Sequence, residues 1–273
     1  MSLFIASLNS GSNGNCYYVG NEREAVLIDA GISCRETETR MRRLGLPMQK
    51  VKAIFISHEH SDHIRGAEVL ARKYRIPVYI TELTHISGSL SFDQQLVFRF
   101  STNQTIMVGN LKIKAFSKLH DAADPHSFMI NCGNINVGVF TDLGAPCENL
   151  VAHFKQCHAA FLEANYDEEM LENGRYPYHL KRRIRGGHGH LSNRQALAVF
   201  IQHRSPNLTH LLLAHLSRDN NDPALVHNLF NAHAGETEII VASRYEESAV
   251  YYVDGVSHSS VKNEPEQLQF SLF

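Results

Sequence analysis

The chain has 273 residues with 26 Lys and Arg against 28 Asp and Glu. A net charge of −2 excludes a molecule that captures polyanions by bulk charge, so any nucleic-acid contact must come from a local patch. The five cysteines, Cys16, Cys34, Cys132, Cys147 and Cys157, are odd in number and form no CxxC pair, which excludes a disulfide scaffold and predicts small buried hydrophobes in a reduced compartment.

The length suits one layered domain, expected over residues 1–256, followed by a tail over 257–273. The opening MSLFIASLNSGSNGN lacks a basic segment followed by a long apolar run, and no apolar stretch reaches membrane-spanning length. A soluble cytoplasmic protein without membrane attachment is expected.

In chain order, LFIASL and CYYVG read as strands around a Gly/Ser/Asn loop, and AVLIDAG as a third strand closing on Asp29 and Gly31. SCRETETRMRRLGL has helical spacing, with Ser33 as N-cap and a stop near Gly45 and Pro47. A strand follows over Val51 to Ile56, then a histidine-rich loop, then one helix through IRGAEVLARKYR that ends before Pro77. Strands QQLVFRF, LKIKAF, HSFMINC and INVGVFTD fill the middle, with Gly109-Asn110 and Gly133-Asn134 as turns. The last third mixes helices at NRQALAVFIQHR and DPALVHNLF with strands HLLLAHL, TEIIVAS and AVYYVDG. Interleaved strand blocks and amphipathic helices predict an α/β protein with two sheets packed face to face and helices outside, in four layers.

The loop SHEHSDH, Ser57 to His63, places three imidazoles and two acidic residues directly after a buried strand. If the chain stays extended, the side chains of His58 and His60 point the same way and can share one metal, while Asp62 and His63 face a neighbouring point. Imidazole suits zinc, manganese and iron, and a carboxylate such as Asp62 can bridge ions or orient a catalytic water. The competing reading is a solvated loop in a chain of 17 histidines.

HEHSDH resembles the HxHxDH signature of the metallo-β-lactamase superfamily, whose fold is an αββα sandwich. KLHDAADP, VFTDLG and LLLAHLSRDNN follow in the order that the superfamily has. The resemblance implies one ion on His58, His60 and His120, a second on Asp62, His63 and His215, and Asp142 between them; His126 rivals His120. Two divalent ions, Zn or Mn/Fe, would activate water for hydrolysis. Asp29 is either an acceptor that orients a ligand imidazole or a turn carboxylate.

SLNSGSNGNCYYV looks like the N-terminal signature of the WalJ (YycJ) family, bacterial enzymes of this fold described as DNA exonucleases, and LEANYD and AHLSRDNN extend the match over nearly the whole chain. The resemblance implies a two-metal phosphodiesterase acting on DNA, a 5′ exonuclease in replication or repair; the alternative is a thioester or lactone hydrolase, and a third reading is a non-catalytic scaffold. In KRRIRGGHGHLSN, the side chains of Lys181, Arg182, Arg183 and Arg185 could neutralise phosphates or form a solvated helix face. His190 resembles the histidine that tRNA 3′-processing relatives carry before their last ligand, and could bind the scissile phosphate or protonate the leaving oxygen, with Glu163 as its orienting partner. The end of the chain, Gln269, Phe270, Ser271, Leu272 and Phe273, resembles the peptide by which bacterial DNA enzymes dock on the sliding clamp, although Phe270 stands where an aliphatic residue is usual; a tail folded on its own sheet is the alternative.

Overall fold

A computed structural model describes residues 2–254. The clamp-binding reading of Gln269 to Phe273 lies outside the described residues, as does the boundary at 256. The first half contributes β1 (Leu3–Asn9), β2 (Cys16–Gly20), β3 (Ala25–Ile28), α1 (Cys34–Arg43), β4 (Val51–Phe55), α2 (Ser61–Ile64), α3 (Ala67–Tyr74), β5 (Val78–Ile80), α4 (Glu82–Ser87) and β6 (Val97–Arg99). The second half contributes β7 (Thr105–Val108), β8 (Leu111–Ser117), β9 (His126–Cys132), β10 (Ile135–Phe140), α5 (Glu148–Phe154), β11 (Ala159–Glu163), α6 (Glu168–Asn173), α7 (Tyr178–Arg185), α8 (Asn193–His203), β12 (His210–Ala214), α9 (Pro223–Asn231), β13 (Glu238–Val241) and β14 (Tyr251–Val253).

Two mixed seven-stranded sheets result, ordered β14-β1-β2-β3-β4-β5-β6 and β13-β12-β11-β10-β9-β8-β7. Their apolar runs are continuous because both faces are covered, and alternate side chains serve different layers. Leu3 and Ile5 of β1, Val26 and Ile28 of β3, and Phe161 of β11 enter the core between the sheets. Ala6, Leu8 and Leu27 face outward with Met41 of α1 and Leu70 of α3, while Leu162 and Leu213 pack with Phe154, Phe200 and Phe230 of α5, α8 and α9. Three apolar layers therefore hold four layers of secondary structure, as the sequence predicts. Truncating Phe161, fully buried at the centre, to alanine should cost about 3–5 kcal/mol.

Local signals explain the helix boundaries. The Ser33 hydroxyl accepts from the Glu36 amide at the start of α1, and Ser192 and Gln195 form a reciprocal capping box on α8. The helix expected through IRGAEVLARKYR begins only at Ala67 as α3; its first residue, Ile64, ends the separate short helix α2 formed by the histidine loop, and the two are parted at Gly66. There the Gly66 amide donates to Ala30 O, and a Cβ would lie 1.9 Å from Ile32 O, so a tertiary backbone contact breaks the helix.

The topology then sets the site. Strands β3 and β4 run parallel in one sheet and β10, β11 and β12 in the other, so their carboxyl ends gather at one rim. Asp29 follows β3, the histidine loop follows β4, Asp142 follows β10, Glu163 ends β11 and His215 follows β12. His120 comes from the turn after β8.

Candidate metal centre and active site

Three site residues leave their strands in the left-handed backbone region: Asp29 at φ 61°, Asp142 at φ 55° and His215 at φ 56°. Such backbone is strained for residues with a Cβ, and the surrounding structure holds it so that each side chain turns back over the rim.

The seven predicted ligands converge. His58 Nε2 lies 3.1 Å from His60 Nδ1, which lies 3.3 Å from His120 Nε2. His63 Nε2 is 3.1 Å from Asp142 Oδ2 and 3.5 Å from Asp62 Oδ2, and His215 Nε2 is 3.3 Å from Asp62 Oδ2 and 3.5 Å from Asp142 Oδ1. Asp142 Oδ1 also stands 3.8 Å from His120 Nε2, so its carboxylate lies between the two groups. His58, His60 and His120 form one set with donor atoms mutually within 4.8 Å, and Asp62, His63 and His215 form another. His126 belongs to neither, since it is engaged by Thr102 and the Asp124 carbonyl.

The outer nitrogens show what the inner ones are for. Four rings have Nδ1 pinned: His63 by Asp29 Oδ2 at 2.7 Å, His58 by Ser57 Oγ at 2.9 Å, His120 by Gly189 O at 3.0 Å and His215 by Glu163 Oε1 at 3.1 Å. With Nδ1–H donated outward, each neutral ring turns its Nε2 lone pair inward, the usual support of a metal-ligating imidazole. Asp142 Oδ2 is buried and accepts no hydrogen bond. Inward lone pairs crowded against carboxylate oxygens repel unless protons or cations stand between them, so the donor set fits divalent ions.

Protonation in the metal-free cluster follows the same division. Burial alone would lower the His63 imidazole, yet the carboxylates of Asp142, Asp29 and Asp62 lift it to about 10. His215 is likewise raised against its burial, by Asp142, Asp62 and Glu163. In the other group burial prevails, pushing His58 well down and His120 to about 4. Burial opposes ionisation of Asp142, but His215 and His63 hold its carboxyl well below the ordinary range.

Besides meeting His63 Nδ1, the Asp29 carboxylate accepts from the Ser57 amide and hydroxyl. Glu163, fully buried, accepts from His190 Nδ1 at 2.7 Å and His215 Nδ1 on Oε1, and from the Leu143 and Leu191 amides at 2.6 and 3.2 Å on Oε2. His190 is the partly exposed imidazole at the mouth, its ring 5.3 Å from that of His120 and 5.2 Å from that of His215.

Lys181, Arg182, Arg183 and Arg185 lie on α7, a helix with no buried residue. Three of these side chains have local partners: Arg183 pairs with Asp121 at 2.5 Å, Arg185 with Glu172 at 2.9 Å, and Lys181 donates to Glu172 O at 2.5 Å.

Four site neighbours were not singled out from sequence. Asn15 Nδ2 reaches Asp62 Oδ2 at 3.1 Å and His63 Nε2 at 3.0 Å, Asn165 Nδ2 reaches His215 O at 2.7 Å, and Ser57 supports His58. The ammonium of Lys118, buried beside Asp142, donates to Thr141 O at 2.7 Å and ties the end of β8 to that of β10. Asn15 and Asn165 do fall inside GSNGNC and LEANYD, where motif membership was the available signal.

The sequence profile described as the β-lactamase superfamily domain matches residues 24–215. The exodeoxyribonuclease YycJ of Bacillus anthracis is 38% identical over 226 residues, covering 81% of this chain and 85% of that one. This chain belongs to the metallo-β-lactamase superfamily, with the YycJ/WalJ family. Within that family, the exodeoxyribonuclease WalJ of Streptococcus pneumoniae is 32% identical, over 81% of this chain and 84% of its own. For the superfamily fold, Zn(2+)-bound PqqB from Methylobacterium extorquens superposes with a TM-score of 0.69 at 17% identity, covering 93% of this chain and all of that one. This YycJ/WalJ relative, with its buried His/Asp clusters, is a metal-dependent hydrolase. Among the described residues no helix is long and apolar enough to cross a membrane.

Proposed function

We propose that the protein is a two-metal exodeoxyribonuclease that removes nucleotides from 5′ ends of DNA. The convergence of the seven residues beside a Glu163-held His190 carries the reading, and the YycJ and WalJ relatives, named as exodeoxyribonucleases, supply the substrate class. His58, His60 and His120 would hold one ion, Asp62, His63 and His215 the other, with Asp142 shared. When bound, such a pair supplies Lewis acidity and a water acidic enough to ionise near neutral pH.

The chain's own groups supply orientation and proton handling. Asn15 restrains the Asp62 carboxylate that would aim the attacking water. Asp29 and Ser57 fix His63 and His58 from behind, so the donors need little reorganisation. With Nδ1 on Glu163, His190 keeps Nε2 for a phosphate oxygen or the departing oxygen. DNA is favoured over a thioester or lactone because of the YycJ and WalJ relatives.

The test is incubation of metal-replete protein with end-labelled single- and double-stranded DNA. Wild type should release nucleotides progressively from the 5′ end, and His190→Ala should slow release about 10²–10⁴-fold, the span typical of a lost acid–base group. Turnover of a thioester or lactone without DNA degradation would reverse the assignment.

A further inference from the structure

Beside the His/Asp cluster lies a cavity of about 330 Å³ between the segment after β12 and the turn after β13. We infer that this cavity takes the nucleoside next to the scissile phosphate, with Tyr245 stacking on the base and Arg218 and Arg244 meeting the flanking phosphate. The inference rests on the nuclease reading and adds to it a subsite for the DNA strand.

The cavity adjoins the reacting centre through the backbone. Its wall includes Ser10, whose hydroxyl accepts from the amide of His215, and Leu216, the next residue in the chain. Between cavity and cluster runs the loop Gly11-Ser12-Asn13-Gly14, leading to Asn15 on Asp62 and His63. A Cβ on Gly11, at φ 129°, would meet Leu216 O at 3.4 Å and the Arg244 Cβ at 3.5 Å, so glycine keeps loop and cavity wall close. Ser12 and Asn13 are exposed along this path and offer polar side chains to a sugar-phosphate backbone.

Its lining suits a nucleoside. Leu216, Val241 and Ala242 make an apolar floor, and Tyr245, with 74% of its surface exposed, stands at the rim. The fold leaves the Tyr245 ring uncovered at the edge of an apolar floor, the arrangement by which aromatic side chains stack on a base. The charges differ from those on α7. Arg218 and Arg244 form no ion pair among the described residues; the Arg244 guanidinium touches only Ser12 Oγ, at 3.4 Å, and its Nη1 is buried without a partner. Among the described residues of the lining Glu246 is the one carboxylate, so the two guanidiniums outnumber it there. Arginines without an ion-pair partner among the described residues, beside the proposed phosphodiester-cleaving centre, match a phosphate.

The experiment compares kcat/KM on a single-stranded oligonucleotide with kcat/KM on bis(p-nitrophenyl) phosphate, a diester with no base to stack. Loss of one stacked base should lower the DNA-to-diester ratio about tenfold in Tyr245→Ala, mainly through KM, with Tyr245→Phe restoring it. Arg218→Ala, at an exposed position with no partner to disturb, should lower the ratio about threefold to tenfold and flatten its salt dependence. Ratios within about twofold of wild type in both alanine variants would overturn the inference alone, by the same stacking magnitude. A wild type that turns over the diester but leaves DNA intact would instead overturn the nuclease reading beneath it.

Discussion

Replacing Glu163 with glutamine tests the supporting frame of the site most sharply, because size and shape are kept while one acceptor becomes a donor. Oε1 faces the Nδ1 atoms of His190 and His215, and Oε2 faces the amides of Leu143 and Leu191. All four are donors to the carboxylate, and glutamine has one oxygen. Its NH₂ must therefore face either the two amides, which lose their acceptor, or the two imidazoles, which can accept it only by moving the proton to Nε2 and giving up the inward lone pair. Leaving two buried donors unsatisfied at about 1–3 kcal/mol each gives a loss of about 2–6 kcal/mol, shared between folding stability and misorientation of the two rings. The carboxyl is held down at about 2 despite full burial, because the His190 and His215 imidazoles favour its ionised form, so the charge is lost as well as the geometry. Urea unfolding of the metal-free protein and diester hydrolysis by the metal-loaded protein read the two shares. A double-mutant cycle with His190→Ala should be strongly non-additive, since the catalytic share passes through His190. Glu163→Gln with stability within about 0.5 kcal/mol of wild type and undiminished turnover would refute the reasoning, because that is the size of a neutral surface change.

Asp29→Asn keeps a residue that tolerates φ 61° but replaces the acceptor behind His63, and should weaken metal binding about 10–100-fold, read by competition with a chromophoric chelator. Gly31→Ala would place a Cβ 1.7 Å from the Asp62 carbonyl, so the backbone of the metal loop must move; a loss of about 1–3 kcal/mol or more is expected in thermal unfolding, with reduced metal content. The two ions should load with different pH dependence. His58 and His120 sit below the ordinary range and are neutral at pH 7, whereas His63, at about 10, is protonated and must release its proton. Calorimetry in buffers of different ionisation enthalpy should therefore show proton release with the second ion, whose affinity rises about tenfold per pH unit per proton below pH 10. Equal pH dependence for both ions would contradict this.

Much of the architecture was legible because buried strands declare themselves as short apolar runs, and β1 to β4, β8 to β10 and β12 fall where those runs lie. The gathering of His58, His60, Asp62, His63, His120, Asp142 and His215 at one rim was legible through motif order, since all sit just past strand ends. What escaped depends on contacts distant in sequence. The break between α2 and α3 comes from Gly66 meeting Ile32; the low helix propensity of glycine hints at it, but the contact that fixes it is distant in sequence. Glu163 was readable as a partner for His190, but its second bond to His215 spans 52 residues and needs β11 beside β12. Lys118, just past β8, carries no local sign of its burial, which comes from its bond to Thr141 O at the end of β10. The basic run on α7 was visible as composition, whereas its pairing with Asp121 and Glu172 required the fold.

The central claim is that these side chains cage two cations at one rim of the paired sheets. Anomalous diffraction from crystals grown with zinc or manganese tests it directly. Two peaks about 3.5–4 Å apart are expected, one within reach of His58, His60 and His120, the other of Asp62, His63 and His215, with Asp142 touching both. A single peak, or peaks away from this cluster, would contradict the account.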